Sequence, residues 1–333
     1  MAITGPASYP PTMSEFTGQW TLANALLGAS PYILTLPGDR STVTLAQFTA
    51  SRQSLLDQQG QVQTELTKLQ LIRGGITLQK TQLVKWINLF NSRLDGSFQN
   101  TQYYPSRPLA PGVGEGENVF NDALRPVLSL WKQINDNPPP PGVTLPLVLG
   151  DGTTYGAFAS AVSALQFAYN EEGKQEPYVK VARSQRNLLQ DRAYEAMKVY
   201  REGATDKFVL HPQLIDSLPR LTPLPGHTPE RVNASAVFEA PNQSKVVYDA
   251  SPDPMLERYE LRGNAGDDYS DEDAVVIATH EPGDAREFVT PFGLNQPGAK
   301  IALKVYVILT TGNEAGSAAL FVQRPANVQS LAA

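Results

Sequence analysis

From Leu45 to Leu94 apolar residues recur at alternating steps of three and four: Leu45, Phe48, Leu55, Val62, Leu66, Leu69, Ile76, Leu83, Ile87, Phe90 and Leu94. Only Arg52, Gln59, Arg73 and Lys80 interrupt the stripe, and no proline lies inside it. The spacing predicts one long helix with a coiled-coil-like seam, about 75 Å long at 1.5 Å per residue. Gly60 and the pair Gly74-Gly75 oppose it, each costing about 1 kcal/mol against alanine. A hairpin turning near Gly60 is the rival arrangement, yet a turn would keep the stripe in phase only by chance. The polar interruptions either fix register and face other subunits or lie where the seam reaches solvent.

A second stretch, Tyr155 to Ala204, repeats the first at one constant offset, with Phe48 on Phe158, Leu55 on Leu165, Arg73 on Arg183 and Leu78 on Leu188. Each stretch follows an extended apolar segment, "PYILTLPGD" or "VTLPLVLGD". Before that comes a shorter helix, Ser14 to Leu27 behind a "TMSE" capping box or Glu117 to Asp136. An internal duplication explains this, one repeat over residues 12–114 (long helix 45–94) and the other over 117–226 (short helix 117–136, long helix 155–204). Pro177 has no counterpart in the first repeat and predicts a kink or restart. "PLAPGVGEG", "NPPPPG" and "LPRLTPLPGHTPE" are connectors by composition. Because a long amphipathic helix cannot bury its stripe alone, the two halves are expected to pack on each other or on further copies.

From Asn233 the pattern changes to short strands between turns. "SKVVYDASPDPMLERYELRG" resembles the B and C strands of a fibronectin type III domain, and "KVYVILTTGNEAGSAALFVQRP" its F and G strands. The resemblance covers residues 233–325. It places Tyr248 where that family has its core tryptophan and Tyr259 in the C-strand. Val305, Val307 and Leu309 form the inward row, and Asn313 and Gly316 the FG turn. The EF corner falls at Leu294-Gln296-Pro297-Gly298, with Val305 where the family has its corner tyrosine. The resemblance implies a β-sandwich, a fold used as spacer, adhesive and docking unit alike. As a whole the chain is similar to uncharacterised bacterial proteins in which a helical region precedes such a domain. The expected fold is multi-domain, a long-helix bundle followed by an all-β sandwich.

A net charge of -6 without runs of Lys or Arg argues against a nucleic-acid surface. The absence of cysteine excludes disulfides, thiolate metal sites and a cysteine nucleophile. No apolar run approaches the roughly 20 residues that span a bilayer, and the first residues lack a secretory signal. A cytoplasmic location is expected, or the cell surface by a leaderless route.

His211, His227 and His280 stand singly, and no nucleophile elbow, Walker loop or dinucleotide fingerprint occurs. "GVGEGEN" lacks the lysine and preceding strand of a phosphate loop and reads as a connector. "GDDYSDED" lacks the EF-hand glycine and terminal glutamate and is expected to be a solvated loop between sandwich strands, with no metal site; Asp267, Asp268, Asp271 and Asp273 are only weak candidates for Ca²⁺. Asn233 and Asn242 match the glycosylation acceptor pattern. Trp20, Trp86 and Trp131 are expected in helix cores, and Tyr103 and Tyr104 in core or loop packing or at a contact point. No catalytic residue, cofactor-binding residue or cofactor is expected.

The pattern favours a non-enzymatic scaffold whose helical region associates with itself or with another protein. A binding module recognising a protein or glycan through the sandwich is the alternative, followed by an enzyme with an unfamiliar site.

Overall fold

The computed structural model describes residues 2–28, 30–38 and 40–325. Helices α1 (Tyr9–Leu27), α2 (Leu45–Ser97), α3 (Glu117–Asp136), α4 (Tyr155–Lys207) and α5 (Pro212–Asp216) precede a series of antiparallel strands. A two-stranded ladder, β1 (Leu34–Thr35) with β2 (Thr42–Val43), leads into α2, and a single bridge from Val148 to Thr154 leads into α4. The chain divides into two compact units. One combines the residues up to Gln70 with those from Pro177 onward, and the other is Leu71–Glu176.

α2 is one helix of 53 residues, and no hairpin forms near Gly60. Its seam side chains from Phe48 to Leu94 are mostly buried, and this outweighs the roughly 1 kcal/mol that each mid-helix glycine costs. α4 also has 53 residues and passes through Pro177 without restarting. α1 begins ahead of the expected capping box. Pro10 and Pro11 sit in its first turn, where backbone N–H groups have no helical acceptor, and Thr12 and Met13 are fully buried within the helix.

The polar interruptions of the seam have internal uses. Gln59 is buried and its Nε2 donates to Pro6 O at 3.3 Å. Arg52 Nε donates to Pro10 O at 2.9 Å. Arg73 pairs with Glu172 (2.7 Å) and Glu176 (2.8 Å) near the surface. Lys80 is buried, donates to the carbonyls of Val113 (3.1 Å) and Glu115 (2.5 Å), and lies 5.0 Å from the Phe120 ring centroid. Lys80→Ala strips two carbonyls of their donor and should cost about 1–3 kcal/mol in chemical denaturation. Lys80→Met, which keeps the stem but not the donors, should recover little of it.

In each unit the same small construction closes the helical core. Trp20 Nε1 donates to Tyr32 O at 3.0 Å, while Tyr32 N donates to Asn24 Oδ1 at 2.8 Å. In the Leu71–Glu176 unit, Trp131 Nε1 donates to Leu147 O at 3.2 Å and Leu147 N to Asn135 Oδ1 at 2.7 Å. A tryptophan and the asparagine four residues on thus pin one extended residue by both its backbone groups. Around Trp20 lie Phe16, Phe48 and Tyr200; around Trp131 lie Phe90, Leu147 and Phe158. Trp86 is only partly buried, and Tyr103 packs edge-on against Phe98.

The β region is a sandwich. One sheet has the order β3 (Ala234–Glu239), β4 (Gln243–Tyr248), β7 (Glu287–Thr290). The other has β10 (Leu320–Gln323), β8 (Lys300–Leu309), β5 (Leu256–Ala265), β6 (Val275–His280), with β9 (Glu314–Gly316) also on β8. Tyr248, Tyr259, Leu261, Phe288, Val305, Val307 and Leu309 fill its core, so Tyr248 and the row from Val305 to Leu309 point inward as expected. The expectation for Gly316 needs correction. The turn is made by Gly312, at φ +85°, and by Asn313, whereas Gly316 lies in β9. A Cβ on Gly316 would come within 2.8 Å of the Tyr306 ring, so its absence lets that ring lie against the strand.

Candidate functional site

The acidic stretch does not act as one solvated loop. Asp273 is buried and accepts from Arg183 Nε at 2.9 Å and from Arg186 Nη1 at 3.2 Å. Arg186, itself buried, also donates to Glu272 O at 2.8 Å. Bonding to Asp273 raises the Arg183 pKa above its usual value, against the burial that lowers it. Gln63 on α2 completes the joint, donating to Asp273 O at 2.5 Å and accepting from Ala265 N at 2.8 Å. The segment expected to be a solvated loop therefore docks the sandwich on α2 and α4.

The other acids diverge. Asp271 accepts from the Tyr306 hydroxyl, Asp267 lies 3.3 Å from Lys300 Nζ, and the Asp268 carbonyl accepts from Asn264 Nδ2 at 2.9 Å. Among the described residues no group of three or more His, Cys, Asp or Glu side chains is placed to hold a metal ion. His227 pairs with Asp253 at 2.5 Å, and His280 Nδ1 lies 3.1 Å from the Tyr248 hydroxyl while its ring stacks on Phe288. His211 precedes α5 as its N-cap residue.

Along β5, alternation sends Tyr259 and Leu261 into the sandwich core and Arg258, Glu260 and Arg262 to the opposite face. All three charged residues are nonetheless buried. Arg258 Nε donates to Glu260 Oε1 and Arg262 Nε to Glu260 Oε2, each at 2.9 Å. Arg262 then grips Glu314 through both Nη atoms, at 2.8 and 2.6 Å, and stacks 4.1 Å from the Tyr306 ring centroid. A bidentate guanidinium–carboxylate pair in low dielectric is among the stronger polar contacts.

Beside this row opens a cleft of about 310 Å³, lined by Thr4, Gly5 and Ala7 on one side and by Arg262, Tyr269, Asp271, Ala274, Tyr306 and Glu314 on the other. Burial pushes the Tyr306 hydroxyl up to about 12 and raises that of Tyr269, so both remain proton donors across the physiological range. Glu260, Arg262 and Glu314 escape a motif search, since no named motif contains them. The available signal was "RYELR", charged at every second position of a strand whose other face is apolar.

No protein-family model matches the chain, and no curated protein does. Several solved structures match over 27–33% of this chain. A Fn3-like protein from Clostridium thermocellum is 21% identical over 30% of this chain and 96% of its own, with a TM-score of 0.23. The fn3 domain of human contactin 1 is 16% identical over 33% and 86%, with a TM-score of 0.26. Pectate lyase PelI from Erwinia chrysanthemi is 13% identical over 28% of each chain, with a TM-score of 0.24. At TM-scores this low the matches carry no weight, and the sandwich rests on its own strand pairing. No described helix is long and apolar enough to cross a membrane.

Proposed function

We propose that this is a non-enzymatic structural protein that self-associates through its helical region and displays a fibronectin type III-like sandwich. The observation that carries this reading is the outer face of α4. Tyr178, Val181 and Leu188 are 62%, 55% and 66% exposed, although their spacing puts them on one stripe. The adjoining face of the same segment, with Val179, Ala182, Arg186 and Ala193, is buried.

Lys174, Gln185, Arg192 and Glu195 continue the exposed stripe at the same three-four step. An apolar centre flanked by charges of both signs suits pairing with a like helix. The matched tryptophan–asparagine constructions support descent of residues 12–114 and 117–226 from one duplicated unit. The strand order, β3-β4-β7 in one sheet and β10-β8-β5-β6 with β9 on β8 in the other, supports the fibronectin type III-like assignment of residues 233–325.

Light scattering on the eluting protein tests the reading. The wild type should have a mass above that of one chain, and Val181→Glu/Leu188→Glu should fall to one chain. Because both positions are exposed within one chain, the variant should still melt cooperatively, at a temperature lowered only by the lost association and independent of concentration. Equal masses for the two proteins would defeat the proposal.

A further inference from the structure

We propose that the cleft on the outer face of β5, β8 and β9 binds a single saccharide residue, a neutral ligand rich in vicinal hydroxyls. The proposal goes beyond the assembly reading and holds whether or not the chain self-associates.

Several polar groups at the cleft have bonding capacity that the described residues do not use. A guanidinium has five N–H donors. In Arg262, only 5% exposed, Nε donates to Glu260, Nη1 and Nη2 donate to Glu314, and Nη2 also lies 2.7 Å from Glu260 Oε2 as an ion pair. The second Nη1 hydrogen has no acceptor among the described residues. Asp271, whose side chain is 69% exposed, uses Oδ1 to accept from Tyr306, and its Oδ2, 3.8 Å from Lys304 Nζ, has water as its remaining partner, which a ligand hydroxyl can replace. The Tyr269 hydroxyl reaches only the Tyr306 hydroxyl, at a long 3.5 Å.

The cleft therefore holds a spare cationic donor, a spare carboxylate oxygen and a phenol with free lone pairs. These needs are mixed in sign. An anionic ligand would face Asp271 and Glu314, and a cationic one Arg262 and Lys304. A sugar hydroxyl meets both requirements, since it donates to a carboxylate while accepting from a guanidinium or phenol. Two neighbouring hydroxyls can then serve Asp271 and Arg262 together. The rings are already fixed, Tyr306 under Arg262 and Tyr269 with Lys304 Nζ 4.3 Å from its centroid, so the site is preformed. Its volume is at the lower end of small-molecule sites, room for one sugar residue rather than an oligosaccharide.

Saturation-transfer NMR on the full chain tests this with D-glucose and N-acetyl-D-glucosamine, and with D-galacturonate as the anionic comparator. At least one neutral sugar should show saturable transfer, and galacturonate should bind more weakly. Asp271→Asn and Tyr269→Phe should each weaken binding about tenfold or more, the worth of one hydrogen bond to a charged or buried polar group. Thr4→Val, at the rim and clear of the charged row, should weaken it less and guards against reading misfolding as lost affinity. The proposal is overturned by no saturable transfer from either neutral sugar, by galacturonate binding as tightly, or by binding that survives both Asp271→Asn and Tyr269→Phe.

Discussion

Asp273→Ala should lower the unfolding free energy of the sandwich-bearing unit by about 3–5 kcal/mol, the usual cost of removing one partner from a buried ion pair. The effect is large because of what remains. The Arg186 side chain is 2% exposed, and its remaining acceptors would be Glu272 O, the exposed Glu272 carboxylate and the neutral Asn187 Oδ1. Arg183, more exposed, would turn to water at little cost. A companion variant separates lost attraction from stranded charge. Arg186→Met combined with Asp273→Leu removes both ions, and replacing buried pairs by apolar residues is often neutral or better. Urea titration of the three proteins should therefore place the double variant closer to wild type than Asp273→Ala. If Asp273→Ala costs under about 1 kcal/mol, the typical value for an exposed pair, the joint is not buried as described.

Trp131→Ala should destabilise the Leu71–Glu176 unit by about 3–5 kcal/mol, as large aromatic-to-alanine changes in cores do. Trp131 is fully buried and packs on Phe90 at 5.1 Å and Phe158 at 5.7 Å between centroids. Its loss leaves a cavity and also leaves the Leu147 carbonyl without its donor. Trp131→Phe should cost less because the ring stays and only the N–H is missing. Hydrogen exchange would resolve the effect by segment, with faster exchange in α3 and in the α2 residues after Leu71. Uniform acceleration over the whole chain would show that the two units open together.

Much of this architecture was legible because its cause is periodic. The stripe from Leu45 to Leu94 and its echo from Tyr155 have to be sheltered, and a seam in phase leaves little freedom except one helix each. The sandwich was readable for a similar reason, since alternation in "KVYVIL" fixes which side chains face inward.

What stayed hidden depends on chain segments far apart in sequence. Gln59 and Lys80 look like seam defects until Pro6 O, Val113 O and Glu115 O appear as their acceptors. Asp273 looks like one more acid in a solvated run until Arg183 and Arg186 arrive from α4. The start of α1 differs from the expected one for a local reason: "TMSE" reads as a capping box, yet the helix already runs from Tyr9, with two prolines that a first turn tolerates. The motif of a tryptophan followed by asparagine four residues later stood in both halves and could have been found by aligning them. Of the cleft only the charged side of "RYELR" was legible, since its other wall comes from Thr4, Gly5 and Ala7 far away in sequence.

Self-association is the claim on which the functional account turns, and sedimentation velocity over a dilution series of the intact wild-type chain tests it most directly. The account predicts a boundary that moves faster as concentration rises, with a limiting mass above that of one chain. A single slow boundary with the mass of one chain at every concentration would contradict it.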